Sequence, residues 1–270
     1  MFHDVNLENP IGSVEGIYVA KPKKVENAGV VTSILLYMLE NKKVDGVVTA
    51  RKVKGILGKI LLIKTRDELL NTVGNCWSVV PYTMKLKDML TSSNLNKIAF
   101  VGLPCQAQFL RHMKTFPLVE SDFANKIYVI ISLFCMGTFI TDGFVKLIRE
   151  YKISPEDVKN IDIDKDYLVI IHSDGEIKVP VDIVLNHIQH GCLLCPDYTG
   201  VFADISAGRA ITKKGTLLIT RSKLGDNIIK KASEEGYIEV ESASEDEITK
   251  LKEKALEKLK RAMDYTAKLL

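Results

Sequence analysis

Four of the five cysteines in this 270-residue chain fall where thiols can work together. Cys192 and Cys195 form a C-x-x-C pair within "HGCLLCPDY", a spacing that turns two sulfurs toward one centre. Gly191 gives that loop a permissive backbone, and Pro196 follows the pair as proline does in many iron–sulfur loops. Cys105 comes directly after the apolar run "IAFVGLP", and Cys135 ends the apolar run "IYVIISLF". If those runs are neighbouring parallel strands, about 5 Å apart, their carboxyl ends share one edge. Open α/β sheets bind ligands at that edge. Cys105 would also open a helix, whose dipole favours thiolate. Four thiolates can hold tetrahedral zinc or an iron–sulfur cluster, and ligand type alone does not choose between them. Zinc ribbons bring two C-x-x-C knuckles close in sequence; here the other two thiols sit on separate buried runs, which suits a redox centre in an α/β core better. Taken singly, Cys105 and Cys135 also read as buried structural cysteines. Cys76, in "VGNCWSVVPY", lies apart and stays outside the group.

The elements that must position these residues follow from hydrophobic spacing. "VVTSILLYMLENKKVDGVV" predicts a helix from Val30 to Leu39 and then a short strand. "GKILLIK" predicts another strand, and "TRDELLNTV" a helix capped by Thr65 with Glu68 three residues on. "YTMKLKDMLTSS" and "CQAQFLRHMKTF" read as helices flanking the buried strand "KIAFVGLP". "KIYVIISLFC" and "TDGFVKLIREY" repeat strand then helix, an order that predicts parallel pairing with both faces covered. Beyond "SPEDVKN" the texture changes. "YLVIIHSDGEIKVPV" predicts a hairpin turning at "SDGE"; "GTLLITRS", "KLGDNIIKKASEEGY" and "IEVESA" read as strand, helix, strand. The expected fold is a mixed α/β sheet with helices on its faces, α+β in its later part, and a cysteine loop at the carboxyl ends of the strands. Residues 1–243 form the main α/β unit, with a soft internal boundary near 150–160. Residues 244–270 form an amphipathic C-terminal helix whose charged face is either solvated or a docking arm for another subunit.

Composition excludes more than it selects. Charged residues are 26% and the net charge is +3, and no Lys/Arg block interleaved with aromatics argues for nucleic acid. The start, "MFHDVNLENP", has neither a basic segment nor an apolar one, so no signal peptide is expected. The longest apolar run, residues 127–140, is too short to span a bilayer and is interrupted by Ser132, Gly137 and Thr138. A cytoplasmic protein is expected, in which cysteines serve as thiols, metal ligands or redox groups rather than disulfides.

Taken together, "VGLPCQAQFLR", "ISLFCMG", "GCLLCPDY", "ADISAG" and "LLITRS" resemble, in this order, segments of the beta subunits of coenzyme F420 hydrogenases and dehydrogenases. "AGVVTSILLYMLENKKVDGVV" resembles that family's opening helix and strand, so the resemblance runs over about residues 15–240. It implies a 4Fe-4S cluster held by Cys105, Cys135, Cys192 and Cys195. It also implies FAD, contacted by Gly29, Val30, Val31, Thr32, Gly74, Asn75, Pro104, Gln106, Asp204, Ser206, Thr220 and Arg221, with coenzyme F420 as the substrate and methanogenesis as the setting. The residues themselves are compatible with this. "NAGVVTS" offers free amides at a helix start, suited to a phosphate or simply to beginning a helix. "ADISAG" is a polar loop for a ribityl chain or ring edge, or a plain polar turn. Arg221 read alone is a surface charge. The chain departs from the family pattern at Ala28–Gly29, Cys76–Trp77, Val80 and Gly215, all near the presumed flavin site.

The implied route is partner subunit, cluster, flavin and deazaflavin, in either direction, with no side chain acting as acid or base for hydride transfer. One cluster's worth of cysteines means that electrons pass to or from another redox subunit of hydrogenase, formate dehydrogenase or reductase type, in a hetero-oligomer. Two other readings stand beside it. One is a flavin–cluster reductase using ferredoxin or a nicotinamide, although no clear GxGxxG fingerprint favours the latter. The other is a zinc-stapled scaffold without redox activity.

Overall fold

The computed structural model describes residues 5–25, 28–72, 80–116, 121–164, 167–212 and 214–269. β1 (Gly16–Pro22) leads to α1 (Val30–Glu40), then β2 (Gly46–Lys54) and its antiparallel return β3 (Leu57–Ile63). α2 (Arg66–Leu70) and α3 (Tyr82–Thr91) precede β4 (Ile98–Gly102), α4 (Pro104–Thr115), β5 (Ile127–Leu133) and α5 (Thr141–Glu150). β6 (Asn160–Asp164), β7 (Tyr167–His172) and β8 (Gly175–Pro180) form a separate antiparallel meander, followed by α6 (Val181–Leu185) and α7 (His190–Leu193). β9 (Ile205–Arg209), β10 (Thr216–Thr220), α8 (Lys223–Glu234), β11 (Ile238–Ser242) and α9 (Glu245–Ala267) complete the chain. The described strands make an eight-stranded sheet in the order β11-β1-β10-β9-β5-β4-β2-β3 and a three-stranded sheet β6-β7-β8. Only the centre, β2-β4-β5-β9, is parallel.

Side-chain alternation sends each central strand into two cores, as period two requires. Ala99, Val101, Val129, Ile131, Ile205, Ala207 and Leu218 join α1 and α8 on one face. On the other, Ile98, Phe100 and Ile130 meet Leu86 and Leu90 of α3 and Ala107 and Leu110 of α4. On that same side, Leu217 and Ile219 of β10 pack against Leu251 and Ala255 of α9. The meander buries Leu168, Ile170 and Val179 against Phe144, Leu147 and Ile148 of α5. Among the described residues no helix is long and apolar enough to cross a membrane.

Helix ends agree with the sequence where capping chemistry is present. Thr65 accepts from the Glu68 amide and Glu68 reaches back to the Thr65 amide. Ser244 accepts from the Glu247 amide and starts α9. Three strands depart from expectation. β1 and β6 were not foreseen, so the expected hairpin is part of a three-stranded meander, and "ADISAG", expected as a loop, supplies Asp204 and then β9, a strand that pairs with β5.

A charge network fastens the end of α1. Glu40 accepts from Lys24 at 2.8 Å and also from Tyr237 and Arg66, tying α1 to α2 and to the segment before β11. Burial alone raises the Glu40 carboxyl, but these donors outweigh it and hold it at about 2, against an ordinary 4.5. A carboxyl lowered in the folded state stabilises fully above its ordinary value, and that stabilisation fades as pH falls from 4.5 toward 2. Because the network is partly solvated, its worth is about 1 kcal/mol. Urea titrations of wild type and Glu40→Gln are expected to differ by that amount at pH 7 and to converge as pH falls from 4.5 to about 2.

Candidate redox centre at the carboxyl edge of the sheet

Residues 134–140 and 187–198 run beside each other and close the carboxyl edge of the parallel strands. Phe134 N–H continues the β5–β9 pairing by donating to Ala207 O at 2.8 Å. Cys135 N–H then donates to Tyr198 O at 2.9 Å, Gln189 N–H to Thr138 O at 2.9 Å, and Ile140 N–H to His187 O at 2.9 Å. Phe139 and Ile188 form an isolated antiparallel bridge. The C-x-x-C pair sits on α7 and just after it, with Cys192 N–H bonded to Gln189 O at 2.8 Å. Gly137, at φ 154°, lets the first loop lie flat on the second. A Cβ there would meet Ile188 Cδ1 at 3.2 Å and Cys192 Cβ at 3.6 Å.

Cys105 arrives from the neighbouring strand. β4 and β5 pair in parallel with Gly102 opposite Ser132, so the loops after them leave the sheet side by side. Pro104 is the first residue of α4 and Cys105 the second, at a helix start with no side-chain cap. Gln106 secures this start: its Oε1 accepts from Leu103 N–H at 2.8 Å, and its Nε2 donates to Val80 O at 3.1 Å.

Cys105 and Cys135 both respond to neighbouring thiols. Partial burial raises the Cys105 thiol, and Cys195 and Cys192 raise it further. Burial pushes Cys135 to about 11, with Lys258 pulling down and Cys192 and Cys105 adding to the rise. Tyr198, beside Cys135, is pushed to about 12, first by burial and then by that thiol. Thr138 Oγ1 lies 3.6 Å from Cys192 Sγ, and Cys195 Sγ lies 3.8 Å from Asp197 O. Among the described residues, no three Cys, His, Asp or Glu side chains stand close enough to hold a single metal ion. Zinc would need its four sulfurs about 2.3 Å from one point.

The residues expected to contact a flavin divide into groups. Val30, Val31 and Thr32 open α1 beyond Gly29, which caps it without a side-chain bond or an acidic first turn. Glu40, at the other end of α1, pairs with α2 near the starts of the parallel strands, so the amino end of α1 points to the cysteine edge. Gly29 has φ −74°, and a Cβ there would meet nothing within 4 Å. Neither backbone nor packing within the described chain demands glycine there. Pro104 and Gln106 lie at the same edge. Asp204, Thr220 and Arg221 do not: Asp204 precedes β9, and Thr220, the last residue of β10, pairs with Ile205, the first of β9. Ser206 lies between, paired with Ser132 of β5. Gly74 and Asn75, like Cys76, lie outside the described residues.

Asp204 and Arg221 are occupied by the protein. Asp204 accepts from Ile130 N–H at 2.9 Å and Ser222 Oγ at 2.8 Å, and pairs with Arg111 at 3.0 Å. Arg221, expected on its own spacing to be a surface charge, is half-buried, and burial of its head group lowers the guanidinium to about 10. It donates to Ser206 Oγ, Ile11 O, Ser13 O and Thr199 Oγ1 at 2.7–3.0 Å. Both residues border a cleft of 260 Å³ that is also lined by Arg111 and Phe202.

Sequence reading missed the contribution of α9. Glu247, fully buried, accepts from Ile211 N–H at 2.5 Å and from Thr212 N–H at 2.8 Å, and so ties the start of α9 to the segment after β9. Burial raises this carboxyl, yet the bonds lower it overall. Glu247→Ala would strand two amides and is expected to cost about 2 kcal/mol in urea unfolding. Further along, Lys258 is 1% exposed and donates to Cys135 O at 2.6 Å and Asp197 O at 2.7 Å. Arg261 donates to Met136 O at 2.6 Å and Cys192 O at 3.2 Å. The signal was present: Leu251, Ala255, Leu259 and Ala262 mark the buried stripe, and Lys258 interrupts it.

Comparison with known proteins agrees with this architecture. Residues 17–87 match the model for the coenzyme F420 hydrogenase/dehydrogenase beta subunit N-terminus, and residues 95–246 that for its C-terminus. The coenzyme F420 hydrogenase subunit beta of Methanococcus voltae is 32% identical over 225 residues, covering 82% of this chain and 79% of that protein. A coenzyme F420-dependent sulfite reductase of Methanocaldococcus jannaschii is 30% identical over 270 residues, 93% of this chain but 41% of that protein. A chain of the F420-reducing NiFe hydrogenase complex of Methanosarcina barkeri superposes with a TM-score of 0.89 at 25% identity, covering 99% of this chain and 95% of that one. The chain belongs to the coenzyme F420 hydrogenase/dehydrogenase beta subunit family, a family of oxidoreductase subunits.

Proposed function

We propose that this chain passes electrons between a partner redox subunit and coenzyme F420, using a 4Fe-4S cluster on Cys105, Cys135, Cys192 and Cys195 and a bound FAD. One observation carries the reading: the loops after β4 and β5 leave the sheet side by side, and the C-x-x-C loop is hydrogen-bonded along the second of them at the same edge. A donor set of four soft thiols suits zinc or an iron–sulfur group. When bound, the cluster takes one electron at a time, whereas the flavin exchanges either single electrons or a hydride.

The chain's own residues supply place and environment. The uncapped amides of Val30, Val31 and Thr32, with Gly29 leaving open space before them, suit the pyrophosphate of FAD. Gln106 holds Val80 against the start of α4, beside Cys105, where it would help to support a bound group. Ser206 accepts from Arg221 and donates to Gly200 O, which supports the turn following the C-x-x-C loop. The bonds of Asp204, Thr220 and Arg221 support positioning rather than direct flavin contact. The chain would work in the cytoplasm within a hetero-oligomer whose other subunit is of hydrogenase, formate dehydrogenase or reductase type.

The test is flavin bleaching in the anaerobic chain by each candidate donor. Reduced coenzyme F420 is expected to bleach the flavin quickly, and NADH and reduced ferredoxin slowly or not at all. Faster bleaching by NADH or ferredoxin would replace F420 in this account.

A further inference from the structure

α9 begins at residue 245, at the limit of the family match, which ends at residue 246. Lys258 sits in the helix's apolar stripe, buried, and the acceptors of its ammonium are the carbonyls of Cys135 and Asp197. Among the described residues no carboxylate pairs with it. A buried cation needs a charge partner, because carbonyl dipoles recover only part of its lost hydration. Arg261, one turn on, bonds the carbonyls of Met136 and Cys192, and its Nε is buried with no acceptor among the described residues. The two side chains thus grip both cysteine loops at once and place two cations beside them, with no ion pair among the described residues; the buried Asp197 carboxylate nearby is taken up by the Gly200 and Val201 amides. A centre ligated by four thiolates carries net negative charge and gains more when reduced.

We propose that Lys258, assisted by Arg261, is the counter-charge of the four-cysteine centre and the clamp that joins its two loops, so that α9 belongs to the redox site. This rests on reading the four cysteines as cluster ligands. Lys258 is a positioning residue: it touches the ligands' backbone, not the substrate. Its charge stabilises the reduced form over the oxidised form and so sets the potential upward, as net charge and hydrogen bonding do at such centres.

The experiment is a spectroelectrochemical titration of the full anaerobic chain, wild type, Lys258→Met and Lys258→Arg, with iron measured in each. Lys258→Met is expected to shift the one-electron reduction equilibrium about tenfold against reduction, about 59 mV to lower potential, with Lys258→Arg close to wild type. Loss of iron from Lys258→Met with retention in Lys258→Arg would also support the role. An unchanged potential in iron-loaded Lys258→Met would overturn it, as would Lys258→Arg behaving like Lys258→Met. If Lys258→Met does not fold, half-buried Arg261→Gln carries the test: a lower potential supports the counter-charge and an unchanged one overturns it. Wild type without iron would instead remove the cluster reading itself.

Discussion

Cys135→Ser is expected to remove the iron while leaving the fold in place. The half-buried side chain lies between β5 and the C-x-x-C loop, and burial with nearby thiols already raises its proton affinity. A serine hydroxyl is nearly isosteric, but it is a hard oxygen that ionises far less readily and is a poor ligand for iron–sulfur chemistry. The Cys135 amide would keep its bond to Tyr198 O, so the two loops stay joined. Iron should fall to background, the broad visible absorption should vanish, and electron transfer to coenzyme F420 from a partner should stop. Thermal midpoints of the iron-free variant and iron-free wild type should agree. Cys76→Ser is the matched control and should keep its iron. Full iron in Cys135→Ser would exclude that residue as a ligand.

The largest stability effect is expected at Asp204. Its carboxylate answers the Ile130 amide, the Ser222 hydroxyl and the Arg111 guanidinium, and so ties the start of β9 to the middle of β5, to α4 and to the cap of α8. Asp204→Ala would leave a buried amide and an arginine unpaired and should cost about 3–5 kcal/mol, the usual range for breaking a buried pair. For a chain of this size that is a fall of roughly 10 °C in thermal midpoint. Asp204→Asn, which can still accept two of the bonds, should lose less. Measured on flavin-free protein, this separates the two roles: a residue needed only for flavin contact would leave the midpoint where it was.

Much of the architecture was legible because its causes are local. β4 and β5 are buried on both faces and read as near-continuous apolar runs. Thr65 and Ser244 cap their helices with their own hydroxyls. The grouping of Cys105 with Cys135 followed from the rule that parallel strands share a carboxyl edge, and β4 and β5 are neighbours. What escaped depends on distant partners. β9 is built from small residues because Phe134 lies against it; a Cβ on Gly208 would come within 2.0 Å of that ring. Without a view of Phe134, "ISAGR" looks like a turn. Arg221 looks like a surface charge until the carbonyls of Ile11 and Ser13, some 200 residues earlier, close over it. Lys258 is the same case: its position in an apolar stripe was visible, but the carbonyls that hold it lie more than 60 residues away.

The central claim is that three separate loops deliver their sulfurs to one iron–sulfur centre next to a flavin. Purifying the full chain without oxygen and measuring its visible spectrum with iron, sulfide, zinc and flavin tests this most directly. The account predicts flavin bands over broad brown absorption, with iron and sulfide in equal amounts at one cluster per chain. A colourless protein carrying stoichiometric zinc, or one holding flavin with no iron after reconstitution, would contradict it.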